Sequence, residues 1–147
     1  VAAYDSAVVR AYDSTSVTAH DAAAVHAYDS AAVSAYGAAT VAAYDAANVD
    51  AYDSSTVAAY DAAVVHAFGS AAVRGHNSAT VTASNSAAVA VFDAASVRAY
   101  DTATVTAHGS ATVFACDSST VTAHDAAAVH AYDSAVVTVF DAATMTA

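Results

Sequence analysis

The sequence has no leucine, isoleucine, tryptophan, proline, lysine or glutamate, and only one cysteine and one methionine in 147 residues. Each absence removes a class of answer. An apolar fraction drawn from Ala, Val and Tyr cannot fill a wide core, so the interior must be thin. Fourteen Asp stand against three Arg, for a formal net charge of -11. That excludes the basic surface that nucleic acid or an anionic membrane requires. Cys116 is the single cysteine, so no internal disulfide forms and the redox compartment stays undetermined. No run approaches the roughly 18 apolar residues of a spanning helix, and no basic-then-apolar leader is present.

What is present is one octad, Val-x-Ala-Tyr-Asp-Ser-Ala-x, written eighteen times from Val1 without an insertion or deletion. Val opens every complete octad, and Met145 opens a partial nineteenth. A period this short points to a solenoid, because each unit can bury its apolar side only against its neighbours. The chain is read as a single octapeptide-repeat β-solenoid over 1–147, either a mature piece or an excerpt of a longer array.

Alanine favours helix, so that reading has to be tested. Eight helical residues turn about 80° beyond two full turns. The Val row would then spiral and make no face. The octad instead alternates Val, Thr and Tyr with other residues and follows them with Asp-Ser, which is a strand and then a turn. The strand is expected from the eighth place of one octad through the fourth of the next. Places eight, two and four then share one face, and places one and three the other. Substitutions sort accordingly. Place two accepts Arg10, Asp50, His66, Arg74, Arg98 and Phe114, whereas place three departs from Ala only at Gly75, Val91 and Val139. The first row is wet and the second packed.

Place five is Asp, Asn or Gly in every complete octad. These are the residues that best tolerate a left-handed backbone, so place five marks the turn. Place seven, usually Ala with Thr15, Ser55 and Ser119 as exceptions, points back inward. Place four is Tyr in nine octads and otherwise Phe68, Phe92, Phe140, His20, His76, His108, His124, Ser84 or Cys116. Coils about 4.8 Å apart would stack these rings into ladders.

Two octads per coil, or 16 residues, make a flattened two-sheet solenoid of about nine coils and roughly 43 Å. Three octads, or 24 residues, make a triangular prism. Valine and two alanines per side suit the thin two-sheet gap better, so sixteen is preferred. Residues 17–31 recur identically at 121–135, an offset of thirteen octads. Thirteen is divisible by neither two nor three, so the copy lies on a different side and the sides are close to equivalent. The stretch 73–92, with Gly75, His76, Asn77, Ser84, Asn85 and Val91, departs furthest from consensus and reads as drift rather than as a contact site.

Catalysis needs several different residues at one unique place, and here reactive types come as rows of like residues. Thr18, His20 and Asp21 lie close in sequence, but strand neighbours point to opposite faces, so no hydrolytic triad is expected. No catalytic, cofactor-binding or metal residue is assigned. Stacked Asp at place five would repel unless compensated. Structural calcium between coils is one compensation, and capping of backbone N–H groups by the carboxylates is the other. Ice-binding Thr-x-Thr pairs occur at Thr80/Thr82, Thr104/Thr106, Thr120/Thr122 and Thr144/Thr146, interrupted elsewhere by Asp50, His66, Arg74 and Phe114.

The octads at 9–14, Val-Arg-Ala-Tyr-Asp-Ser, and at 25–30, Val-His-Ala-Tyr-Asp-Ser, resemble the Val-x-Ala-Tyr-Asp/Gly-Ser-Ala-Thr octapeptide arrays of bacterial and phage proteins. The resemblance covers the whole chain. It implies a parallel β-solenoid and no catalytic residues. Uniformity, an acidic lysine-free surface and the lack of a unique site together lead to a structural expectation. The chain is expected to be a rigid extracellular spacer or self-assembling filament, on a cell or phage surface, with copies associating end to end and no enzymatic activity. The alternative is a surface-binding module that engages a glycan, or ice, through exposed Tyr, His and Thr rows.

Overall fold

A computed structural model describes all residues from 1 to 147, and every regular element in it is a β-strand. Strands recur every eight residues. β1 (Ala2–Ala3), β2 (Val8–Ala11) and β3 (Ser16–Ala19) begin the series, and β18 (Val136–Val139) and β19 (Thr144–Thr146) close it. Odd-numbered strands form one ten-stranded parallel sheet and even-numbered strands a second of nine. Residue i pairs with residue i+16 throughout, as Val81 does with Val97 and Val105 with Val121. The coil therefore holds sixteen residues, and the fold is a two-sheet parallel β-solenoid.

Alternation explains the layers. Places one, three and seven face the gap between the sheets and form a core of 42 buried residues, every one Val or Ala. Side chains this small let the sheets close on each other without voids, which three octads per coil would not permit. Cohesion along the axis comes from the backbone, with 114 main-chain hydrogen bonds, nearly all running between successive coils or closing corners.

Every strand from β1 to β18 ends at place three, one residue earlier than the alternation suggests. The place-four N–H still joins the ladder, as Tyr28 donates to the Ala11 carbonyl at 2.9 Å. Its carbonyl, however, turns away to accept from place seven of the same corner, as Tyr28 does from Ala31 at 3.1 Å. That bond closes the reversal and takes place four out of the sheet. Place five then carries φ between 56° and 61° at all fifteen Asp and Asn positions, and 66° to 70° at Gly37, Gly69 and Gly109.

Interior exceptions have local accounts. Gly75 in β10 (Ala72–Gly75) pairs directly with Val91 in β12 (Ala88–Val91). A Cβ on Gly75 would lie 3.2 Å from Val91 Cγ1, so the missing methyl of one accommodates the added bulk of the other. Ser55 and Ser119 at place seven are fully buried and their hydroxyls lack partners. Such an orphan costs about 1–3 kcal/mol. Thr15 at the same place escapes this by donating to the Tyr12 carbonyl at 2.7 Å.

Candidate functional site

The chain turns two corners per coil, and each corner carries one ladder. The corner after the second sheet stacks nine rings without a break: Tyr12, Tyr28, Tyr44, Tyr60, His76, Phe92, His108, His124 and Phe140. Centroid spacings run from 4.8 to 5.2 Å with planes within 10°. The spacing is the coil repeat itself, so the backbone sets the stack and the rings fill it. The corner after the first sheet stacks Tyr4, His20, Tyr36, Tyr52 and Phe68 in the same manner, then stops at Ser84. Partial burial raises the Tyr52 phenol above its ordinary pKa, and Asp50 and Tyr36 add to the effect.

Beside the rings, the place-five carboxylates are not left to repel one another. Eight of the thirteen, Asp29, Asp45, Asp53, Asp93, Asp101, Asp117, Asp125 and Asp141, accept the place-five N–H of the preceding coil, as when Asn85 donates to Asp101 Oδ2 at 2.8 Å, Gly109 to Asp125 at 3.0 Å and Asn77 to Asp93 at 3.1 Å. Asn77 Nδ2 also reaches Asp61 Oδ1 at 3.2 Å. The place-six hydroxyls seal the corner from outside, with Ser70 donating to the Asp53 carbonyl at 2.9 Å and Thr102 to that of Asn85 at 2.9 Å. The stacked carboxylates thus cap backbone amides.

The outer face of the first sheet carries its unlike residues in one column at place two. Asp50 meets His66 Nδ1 at 3.0 Å. Further along, Arg98 lies 5.7 Å over the Phe114 ring, Phe114 stacks on His130 at 5.0 Å, and Thr146 Oγ1 lies 2.8 Å from His130 Nδ1. These residues are 16 apart in sequence, and only the coil size makes them neighbours. Two looser contacts join the ladders to the acidic corners, His108 to Asp125 at 3.7 Å and His124 to Asp141 at 3.8 Å.

The second sheet has a different face. Ala58, Ala72, Ala88 and Ala90 leave a shallow trough of about 500 Å³, with Thr56, Thr104 and Thr106 at its rim and the exposed Arg74 within it. Of the Thr-x-Thr pairs, Thr104/Thr106 and Thr120/Thr122 fall on neighbouring strands of this sheet, while Thr80/Thr82 and Thr144/Thr146 lie on the other. His20, beside Asp21 in sequence, is held between Tyr4 and Tyr36 in the ladder, and Asp21 is at the corner with φ 59°. Corresponding strands of the two 15-residue copies lie in opposite sheets: Val17 is in β3 and Val121 in β16 (Thr120–Ala123). The same local sequence therefore makes the same strand and corner on either side.

No protein-family model, no curated protein and no solved structure matches this chain.

Proposed function

We propose that this chain is a structural repeat protein, a rigid extracellular spacer or the unit of a self-assembling filament on a cell or phage surface. The observation that carries the reading is the unbroken translation of residue i onto i+16 through both sheets. Any coil offers the same row of ladder donors and acceptors to the coil above it, so one copy can continue another's sheets and rings end to end. Sequence supports this further: a net charge of -11 without lysine disfavours side-by-side collapse of rods and leaves axial growth as the favoured contact. Most place-five carboxylates accept backbone amides, so the corners are read as holding without a cofactor. Four of the seven histidines, His20, His76, His108 and His124, are ladder rungs, and we assign no catalytic role.

Electron microscopy of the purified chain across a concentration series tests the proposal. Thin rods that lengthen into filaments of constant width are expected. Rods that stay near 43 Å, nine coils at about 4.8 Å each, at every concentration would remove the filament and leave the spacer. Compact particles with no long axis would overturn both.

The trough on the second sheet favours one other reading, a surface-binding module. Its alanine floor, threonine rim and single guanidinium suit the flat apolar face and acidic group of a uronic-type sugar. A glycan screen paired with an ice-recrystallisation assay tests it, with Arg74→Ala as the comparison. Binding that Arg74→Ala leaves unchanged would remove the trough from consideration.

A further inference from the structure

A ladder with one ring missing leaves a slot of known width. Beyond Phe68 the first-sheet corner reads Ser84, Tyr100, Cys116, Tyr132, so rings alternate with side chains that have none. The intact rungs before it keep 4.9 to 5.2 Å between centroids. Omitting one rung therefore leaves its neighbours facing each other two coil steps, or roughly 10 Å, apart. A ring placed between them would have a centroid about 5 Å from each wall, inside the range that stacked aromatics favour. Two such slots follow one another, Phe68/Tyr100 over Ser84 and Tyr100/Tyr132 over Cys116, with Tyr100 as their shared wall.

The backbone does not close these slots. Ser84 N–H still donates to the Ala67 carbonyl at 3.0 Å and Cys116 N–H to that of Ala99 at 2.9 Å. The corner bonds also persist, Ala87 to Ser84 at 3.3 Å and Ser119 to Cys116 at 3.2 Å. Coil spacing is thus held across each gap. The opposite corner, with nine rings and no gap, shows that a complete ladder is available to this repeat, so the vacancies belong to one corner and one half of the chain.

Charge selects the occupant. The place-five row at this corner runs Gly69, Asn85, Asp101, Asp117 and Asp133. Asp101 accepts from Asn85 and Asp117 accepts from Asp101 N–H at 3.2 Å, so one carboxylate follows the shared wall Tyr100 and another follows Cys116 at the second slot. Three cationic or titratable groups lie nearby on the sheet face, and each is already engaged: His66 with Asp50 at 3.0 Å, Arg98 over the Phe114 ring and His130 stacked on that ring. Aromatic faces themselves attract cations. The floor of the second slot is neutral, since burial, then Asp117 and Asp133, raise the Cys116 thiol above its ordinary pKa.

We propose that these two slots bind flat aromatic cations, each entering between Phe68 and Tyr100 or between Tyr100 and Tyr132, stacked on both faces with its charge toward Asp101 and Asp117. The site takes the place of the missing rung and is independent of whether the solenoid serves as a spacer.

Thioflavin T, a planar benzothiazolium whose fluorescence rises when its rings are immobilised, is a suitable probe for titration of the whole chain. Saturable binding of up to two dyes per chain is expected. Ser84→Phe with Cys116→Tyr fills both vacancies with consensus rings and should weaken binding at least tenfold, while Cys116→Ser keeps the slot and should leave binding within twofold. Tyr36→Ser opens a new vacancy between His20 and Tyr52 and should add one site. Equal binding by the wild type and the filled variant, or no added site in Tyr36→Ser, would overturn the proposal and place the dye elsewhere, as on the alanine trough. Circular dichroism of each variant shows that the solenoid is retained, and Tyr36→Ser keeps the test decisive even if the filled chain does not fold.

Discussion

Val81→Asp is expected to remove roughly 4 kcal/mol or more of local stability and to split the unfolding transition in two. Val81 is fully buried in β11 (Thr80–Ala83), where it pairs with Val65 and Val97. Across the gap a Cβ on Gly75 would lie 3.4 Å from Val81 Cγ2, which places the two sheets in direct contact there. Every neighbour inside is Val, Ala or Gly, and the ladder amides are already paired. A carboxylate at this point has neither water nor a donor, and an uncompensated buried charge is among the most destabilising single changes. Coils contact only their neighbours, so the damage stays near the sixth coil, which Val81 opens, while the outer coils hold. Urea unfolding followed by circular dichroism checks this. Val81→Ala, which leaves only a small cavity, should cost about 2 kcal/mol and keep one transition. A Val81→Asp midpoint equal to that of Val81→Ala would mean that the gap is wet, which would undo the account of the core.

Gly109→Val is expected to cost about 2–3 kcal/mol, whereas Gly109→Asn should cost less than about 1 kcal/mol. Gly109 has φ +70°, and a Cβ there would meet Asp93 N and O at 3.0 Å. Valine adds two penalties, a β-branched side chain in the left-handed region and a methyl pressed on the coil below. Asparagine tolerates that region, as Asn77 and Asn85 do at φ 59° and 60°, and leaves only the close approach to be relieved. The same substitution should cost progressively less at Gly69 and Gly37, where the nearest backbone atoms stand at 3.2 and 3.3 Å. Thermal melts of the three valine variants, each beside its asparagine counterpart, test the order. Equal losses for Val and Asn at Gly109 would mean that crowding, and not the sign of φ, keeps place five to Gly, Asn and Asp.

Ladder composition shows where reading by residue type succeeds and stops. That place four should stack along the axis follows from a ring there in every octad but those of Ser84 and Cys116, and from the coil spacing. Which rings meet does not follow. His108 lies against His124, and Phe92 between His76 and His108, only because the coil is sixteen residues long. Gly75 and Val91 read as drift when each is weighed alone, and become one packing unit once their 16-residue offset is known to be a lattice step. The small interior residues favoured a step of sixteen over twenty-four, but nothing at Gly75 or Val91 themselves marked the two as partners. The slots beside Tyr100 and the alanine trough around Arg74 share that cause.

The sequence by itself determined the strand-and-corner octad, the Val and Ala interior and the left-handed place five, because each rests on interactions within a few residues. Alternation decides which side of a strand is buried, and φ tolerance decides where the chain can reverse. The interior residues favoured two octads per coil, and the tertiary structure closed the coil at that number and with it fixed every neighbour across coils. Eight divides both sixteen and twenty-four, so the period alone is blind to the choice. It is made by how closely two sheets of valine and alanine can pack, which is a property of side chains that meet across the gap and not of any stretch of chain.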